Sequence, residues 1–293
     1  MDTLYFKVAD VCFAIHAAHA DEVKALLPSY APFYLKECSE PIILNAELMT
    51  DAVSSEPEGK ELGQFDCGGT NHGIYQMADG YKILISDAEG RLACAMLTKG
   101  DFSSCRISLF GDAATRQFGM GNAMMIAFAF AAASHQILLM HASVVMYEGK
   151  AYLFLGKSGT GKSTHSGLWL KHIPQTDLLN DDNPAVRIKA DGEVWVYGTP
   201  WSGKTPCYRN LSLPAGAFVR LEQHKENVIA REAKLEAYAS ILSSCSTMMW
   251  DKYTYPAITQ TVAGVISAVP AYYLKCLPDE AAARLCCQTV AGS

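Results

Sequence analysis

Gly156-Lys157-Ser158-Gly159-Thr160-Gly161-Lys162-Ser163 is the stretch whose reading decides the fold. Two glycines flank four residues, and a lysine and a serine follow, the spacing of a loop that turns its backbone N–H groups inward around phosphate oxygens. In such a loop the lysine adds positive charge and the serine hydroxyl reaches a bound Mg²⁺. The flanks agree with that reading. Residues 151–155, Ala-Tyr-Leu-Phe-Leu, read as a buried strand running into the loop. Residues 164–172 read as a helix leaving it, with its partial positive charge beneath the phosphates.

Working outward, 293 residues suit two unequal domains, and 50% apolar with 18% charged residues is enough to bury a sizeable core. The net charge of −6 is unevenly placed: residues 1–112 are strongly acidic, whereas residues 113–293 carry a small positive excess. That asymmetry argues against a nucleic-acid surface on the N-terminal part. Ten cysteines without a C-x-x-C pair read as reduced thiols of a cytoplasmic protein, neither a disulfide framework nor a zinc site. The N-terminus has an acid before its first base and no long apolar region, so no secretory signal is expected. Residues 123–133 are wholly apolar but too few for a bilayer, which takes about 20. No membrane partner is expected, and a buried core helix is.

Residues 4–110 carry mostly strand signals. Asp79-Gly80 and Glu89-Gly90 separate short β-prone runs, which is hairpin chemistry, and residues 50–66 read as a long exposed acidic loop. Residues 113–136 turn helical, with apolar residues on nearly every side, and are read as the hinge that opens the second domain. The expectation is a smaller β-rich domain over 1–112 and an α/β domain over 113–293. Within the latter, residues 138–147 and 150–155 read as strands, 177–182 as a strand ending in acid, and 198–210 as a glycine- and proline-bearing loop. Residues 231–245, 257–268 and 279–288 read as helices and 272–276 as a late strand.

Mg²⁺ takes hard oxygen ligands, and Asn180-Asp181-Asp182-Asn183-Pro184 lies one helix and one strand after the loop. Taken alone that string is a turn. In this position one carboxylate can hold Mg²⁺ while the other accepts the proton of an attacking hydroxyl. His141, inside an apolar run, reads by chain geometry as a hydrogen-bonded core residue more readily than as a site residue. Lys157 and His165 are open between solvent and the phosphate side. Trp201-Ser202-Gly203-Lys204 has the glycine and cation of a segment that folds over a substrate, and equally those of an ordinary surface loop. Arg209 and Arg220 are weaker candidates.

His141-Ala142-Ser143-Val144-Val145, the loop at 156–163 and Asp181-Asp182 together resemble the C-terminal kinase domain of HPr kinase/phosphorylase. The loop, with Thr160 and the following Thr164, is also similar to that of phosphoenolpyruvate carboxykinase. The resemblance covers roughly residues 135–225, and the whole looks closest to HPr kinase-like proteins, some of which accompany peptide-maturation systems. It implies an α/β P-loop kinase domain that uses ATP, or another nucleotide, and Mg²⁺. It places Gly156 to Thr164 on the nucleotide, Ser163 and Asp181 on the metal, Asp182 or Asp181 as base, and His141 beside the phosphates. Two departures bear on whether HPr itself is the substrate. Thr164 stands where the family has an acidic residue, and residues 197–204 replace its Arg-Gly-Leu-Gly-Ile-like signature. The implied activity is phosphorylation of a hydroxyl on a protein, peptide or small molecule, in a protein that can be a homo-oligomer. The other class is an ATP-binding regulatory or maturation partner that transfers nothing.

Overall fold

The computed structural model describes residues 1–50, 53–66, 71–203 and 205–292 as two compact units, Met1–His135 and Gln136–Ser293, each with a large mixed sheet. The division differs from the expected boundary at 112/113, for a reason that lies in one helix.

The first unit runs β1 (Asp2–Val8), β2 (Val11–Ala17), α1 (Ala20–Leu26), β3 (Tyr34–Leu35), β4 (Ile42–Leu48), β5 (Lys60–Asp66), β6 (Asn71–Met77), β7 (Gly80–Ser86), β8 (Leu92–Lys99), β9 (Ser104–Leu109) and α2 (Ala113–Ala131). Its strands order as β3-β1-β2-β4-β9-β8-β7-β6-β5, with β4 parallel to β2 and β9 and the other pairs antiparallel. Asp112 caps α2 by accepting a hydrogen bond from the Thr115 amide at 2.9 Å. The helix then packs on β4, β7, β8, β9 and α1, which assigns it to the first unit and not to a hinge opening the second. Gly119 permits this approach, since a Cβ there would stand 2.6 Å from the Ala93 carbonyl oxygen on β8. Within the expected acidic loop, residues 60–66 form β5 instead, pairing with β6 at the sheet edge. An edge strand pairs on one side only, so it carries polar residues without the strong alternation of a central strand.

The second unit runs β10 (Ile137–Leu139), β11 (Ala142–Tyr147), β12 (Lys150–Leu155), α3 (Lys162–His172), β13 (Asp177–Asp182), β14 (Ala185–Ile188), β15 (Val194–Tyr197), β16 (Ser212–Gln223), β17 (Val228–Arg231), α4 (Lys234–Leu242), α5 (Thr254–Ala268), β18 (Ala271–Cys276) and α6 (Glu280–Ala291). The expected strand over 138–147 is broken at Met140-His141, because β10 pairs with β14 whereas β11 pairs with β12 and β13. Residue 231, expected to start a helix, ends β17 instead, and α4 begins at Lys234.

The long strand β16 joins both halves of this sheet: its start pairs with β15, and the rest runs parallel to β12 and β18. Since β11 is antiparallel to both β12 and β13, the strands β12, β13, β16 and β18 all end at one edge, where β11 begins. Beneath that edge α3 and α6 cover a core of Tyr152, Phe154, Trp169, Val219, Leu274 and Cys286. Trp169 is fully buried there. The described cysteines are free thiols. Among the described residues no helix is long and apolar enough to cross a membrane.

Candidate functional site

The C-terminal edge of the parallel strands is where an α/β sheet offers a crevice, and the loop at 156–163 opens there. Strand β12 is buried throughout its apolar run and releases the chain at Gly156. Gly156, Gly159 and Gly161 have φ of 150°, 81° and 104°, values that side-chain-bearing residues rarely adopt, so the loop's path depends on glycine. The Thr160 amide bonds the Lys157 carbonyl at 3.2 Å, and the Thr160 hydroxyl turns to the same oxygen. From β16 the Gln223 side-chain amide donates to the Gly159 carbonyl at 3.2 Å. Among the described residues no protein acceptor is in place for the amides of Gly159, Gly161, Lys162 and Ser163. With α3 starting at Lys162, these donors are free to cradle an anion.

Lys162 is buried, and its ammonium folds back over the loop, 3.0 Å from the Gly156 carbonyl and 3.4 Å from that of Lys157. Burial lowers its pKa, and the charges of Asp182 and Asp181 oppose that shift. Lys157, Ser158 and Gly159 are exposed at the loop's tip, and Ser163 and Thr164 are exposed on the first turn of α3.

Strand alternation sends the two aspartates of β13 different ways. Asp181 is buried; its Oδ1 accepts the Ser163 hydroxyl at 2.8 Å, while its buried Oδ2 has no hydrogen-bond partner among the described residues. Asp182 is partly exposed, with Oδ2 taking the Asn183 side-chain amide at 2.9 Å and Oδ1 3.2 Å from His141 Nε2. Its φ of 141° is a strained value for a residue with a Cβ. That same His141 Nε2 lies 3.0 Å from Lys162 Nζ. A single ring nitrogen either donates or accepts, so His141 can hydrogen-bond Asp182 or Lys162 but not both at once. The position of His141 follows from the break between β10 and β11. It is not a core residue within a strand, since its side chain is 43% exposed at the site's mouth.

The loop after β15 is tied to the acid turn. Asn180, fully buried, donates to the Trp201 carbonyl at 3.0 Å and to Thr199 Oγ1 at 3.2 Å, while the Thr199 hydroxyl lies 2.6 Å from the Asn183 carbonyl. Trp201 is buried; the Ser202 hydroxyl lies 3.2 Å from the Asp181 carbonyl, and the Gly203 amide bonds that carbonyl at 2.5 Å. A Cβ on Gly203 would stand 3.0 Å from the same oxygen. Trp201, Ser202 and Gly203 thus buttress the aspartates, while Lys204 lies outside the described residues.

Two other sequence candidates lie away from this cluster. His165 faces the core, where it accepts the Trp169 indole N–H at 3.2 Å and meets Phe154 edge-on; burial lowers its pKa to about 4. Arg209 pairs with Asp177, at the opposite end of β13 from Asp182. Asn180, Thr199 and Gln223 were not singled out by sequence reasoning. Asn180 lay within the Asn-Asp-Asp-Asn-Pro string, but nothing in spacing linked Gln223, on a separate strand, to the loop.

No protein-family model and no curated protein matches the chain. Among solved structures, the HPr(Ser) kinase/phosphatase from Coxiella burnetii is 12% identical, with a TM-score of 0.31 over 53% of this chain and 93% of that one. A likeness this shallow assigns neither a fold family nor an activity.

Proposed function

We propose that the second unit is a P-loop kinase domain of the HPr kinase type and that the protein is an ATP- and Mg²⁺-dependent phosphotransferase acting on a hydroxyl of a protein, peptide or small molecule. The observation that carries this reading is the line of contacts from Lys162 through His141 to Asp182, set at the mouth of a glycine-shaped anion cradle.

The donor set fits Mg²⁺. The Ser163 hydroxyl and the Asp181 carboxylate are hard oxygens already in contact, and the buried Oδ2 of Asp181 has a lone-pair face that no donor among the described residues fills. Mg²⁺ characteristically takes one or two carboxylates and completes its shell with substrate phosphates and water. When bound, Mg·ATP would supply the terminal phosphoryl group for transfer to the hydroxyl, with ADP as the leaving group. The backbone amides of the loop and Lys162 hold negative charge at the cradle. Asp182, the more exposed carboxylate, takes the proton that the acceptor hydroxyl loses as its oxygen bonds to phosphorus. His141 orients Asp182 when its Nε2 carries a proton, and it accepts from Lys162 when it does not.

The test is a γ-labelled ATP screen against lysate proteins and small hydroxyl acceptors, run beside calorimetry with Mg·ATP. Label transfer by the wild type that falls sharply in Asp182→Asn is the expected result. Tight Mg·ATP binding with no transfer to any acceptor would leave a nucleotide-binding regulatory or maturation partner. Absence of nucleotide binding would remove both readings.

A further inference from the structure

We propose that Arg220 binds the terminal phosphate of the nucleotide, as a cation supplied by β16 from the side of the loop opposite the aspartates; this rests on the phosphotransferase reading above. Arg220 pairs in register with Leu155, the last residue of β12 before Gly156, so its backbone adjoins the point where the loop begins. Three residues further along the same strand, Gln223 already holds the Gly159 carbonyl. By strand alternation Gln223 lies on the face opposite Arg220, so this contact shows only that the end of β16 flanks the loop, and the facing of Arg220 is set by its own contacts.

Strand alternation fixes which way the guanidinium faces. Ala217, Val219 and Leu221 point into the core with Trp169, so Phe218, Arg220 and Glu222 occupy the other face of the sheet. There Arg220 Nη1 donates to the Ser243 hydroxyl at 3.0 Å, just past the end of α4. The neighbouring Ser244 carbonyl accepts the His141 amide at 2.7 Å. Ser243 thus stations the guanidinium beside the backbone that carries His141, and the His141 ring reaches Lys162. On the phosphotransferase reading that is the reacting end of the cradle, where the terminal phosphate would lie.

The charge at this position is not used up within the protein. Among the described residues no carboxylate lies within ion-pair distance of Arg220, and a neutral hydroxyl is its hydrogen-bond partner. A guanidinium has five N–H donors in a rigid fork, so several stay available for phosphate oxygens. Glu232 stands close enough for the Arg220 charge to oppose the upward shift that burial imposes on its carboxyl.

The experiment compares the affinity of the Mg²⁺ complexes of ADP and of the β,γ-imido analogue of ATP in the full chain. Arg220→Gln should weaken binding of the analogue about tenfold, the lower range for a charge-assisted contact, and leave ADP within about twofold. Arg220→Lys keeps the charge but not the fork and should lose less, about threefold. Ser243→Ala, which retains the arginine and frees it from its anchor, should lose a few-fold on the analogue alone. Equal effects on both nucleotides, or none on either, in a folded Arg220→Gln or Arg220→Lys protein would overturn the proposal. Lys162→Ala separates the two levels of failure, because it should weaken both nucleotides. A wild type that binds neither nucleotide would overturn the phosphotransferase reading as well as this one.

Discussion

Asp181 and Asp182 are adjacent in sequence and opposite in environment, one buried on Ser163 and the other half open to solvent beside His141. Substitution by Asn preserves size and removes charge, so it should separate their roles without unfolding the chain. Asp181→Asn should lose Mg²⁺-dependent nucleotide affinity in calorimetry. Asp182→Asn should bind normally and transfer label about 10²–10⁴ times more slowly, the usual worth of a general base. Two variants that bind and turn over like wild type would return this string to the status of a turn. The backbone of Asp182 supplies a second test. A positive φ in a residue with a Cβ costs on the order of 1–3 kcal/mol, partly offset in a glycine variant by a looser unfolded chain. Asp182→Gly should therefore raise stability in urea titration by about 1 kcal/mol while abolishing transfer. A fall in stability would show that the carboxylate's contacts outweigh the strain. From sequence the aspartates and the loop were legible because short-range spacing encodes them. His141's placement was not, since it depends on a strand break invisible in an unbroken apolar run.

Helix α3 links the cradle to the core through His165 and Trp169, which bond each other one turn apart. His165 titrates at about 4 when folded, against about 6.5 for an ordinary imidazole. The unfolded chain therefore binds the proton first as pH falls. The stability this burial contributes is complete above pH 6.5, declines below it and is gone by about pH 4, a span of roughly 3 kcal/mol. Urea midpoints of the wild type should fall faster between pH 6.5 and 5 than those of His165→Gln, which has no imidazole to charge. Parallel pH profiles for the two would show that the ring is hydrated. Helix α2 offers the corresponding test in the first unit. Gly119→Ala gains about 1 kcal/mol of helix propensity but drives a methyl group into the Ala93 carbonyl, which is backbone and cannot swing aside. A net loss of about 1–2 kcal/mol in urea titration is expected, and a net gain would mean that the helix slides freely on β8. The hairpins at Asp79-Gly80 and Glu89-Gly90 were legible as elements, because turn chemistry is local. Edge strand β5 was not, since its pairing with β6 leaves no periodic mark on an acidic segment.

At the scale of the whole molecule, every residue of the candidate site belongs to the second unit, from His141 through the loop and the aspartates to Gln223 and Ser243. A chain beginning at Gln136 contains that unit's entire sheet and core. It should bind Mg·ATP within a few-fold of the full protein in calorimetry, and loss of binding would assign the first unit a part in the site. The α/β class was legible in the alternation of strands and helices around the loop. The division at 135/136 was not, because an all-round apolar helix gives no sign of which sheet it will cover. The long strand β16 has a further consequence, for the order in which a ribosome delivers the protein. The hairpins β11–β12 and β14–β15 close over short spans, whereas β12 must wait for a partner that follows it by about sixty residues. A nascent chain that has emerged only through β15 carries the loop and both aspartates with one flank of β12 bare. Such chains, stalled on the ribosome, should fail to retain Mg·ATP until residues beyond Gln223 have cleared the exit tunnel. On the proposed reading, nucleotide capture then trails the translation of the loop by at least the roughly sixty residues that separate Ser163 from Gln223.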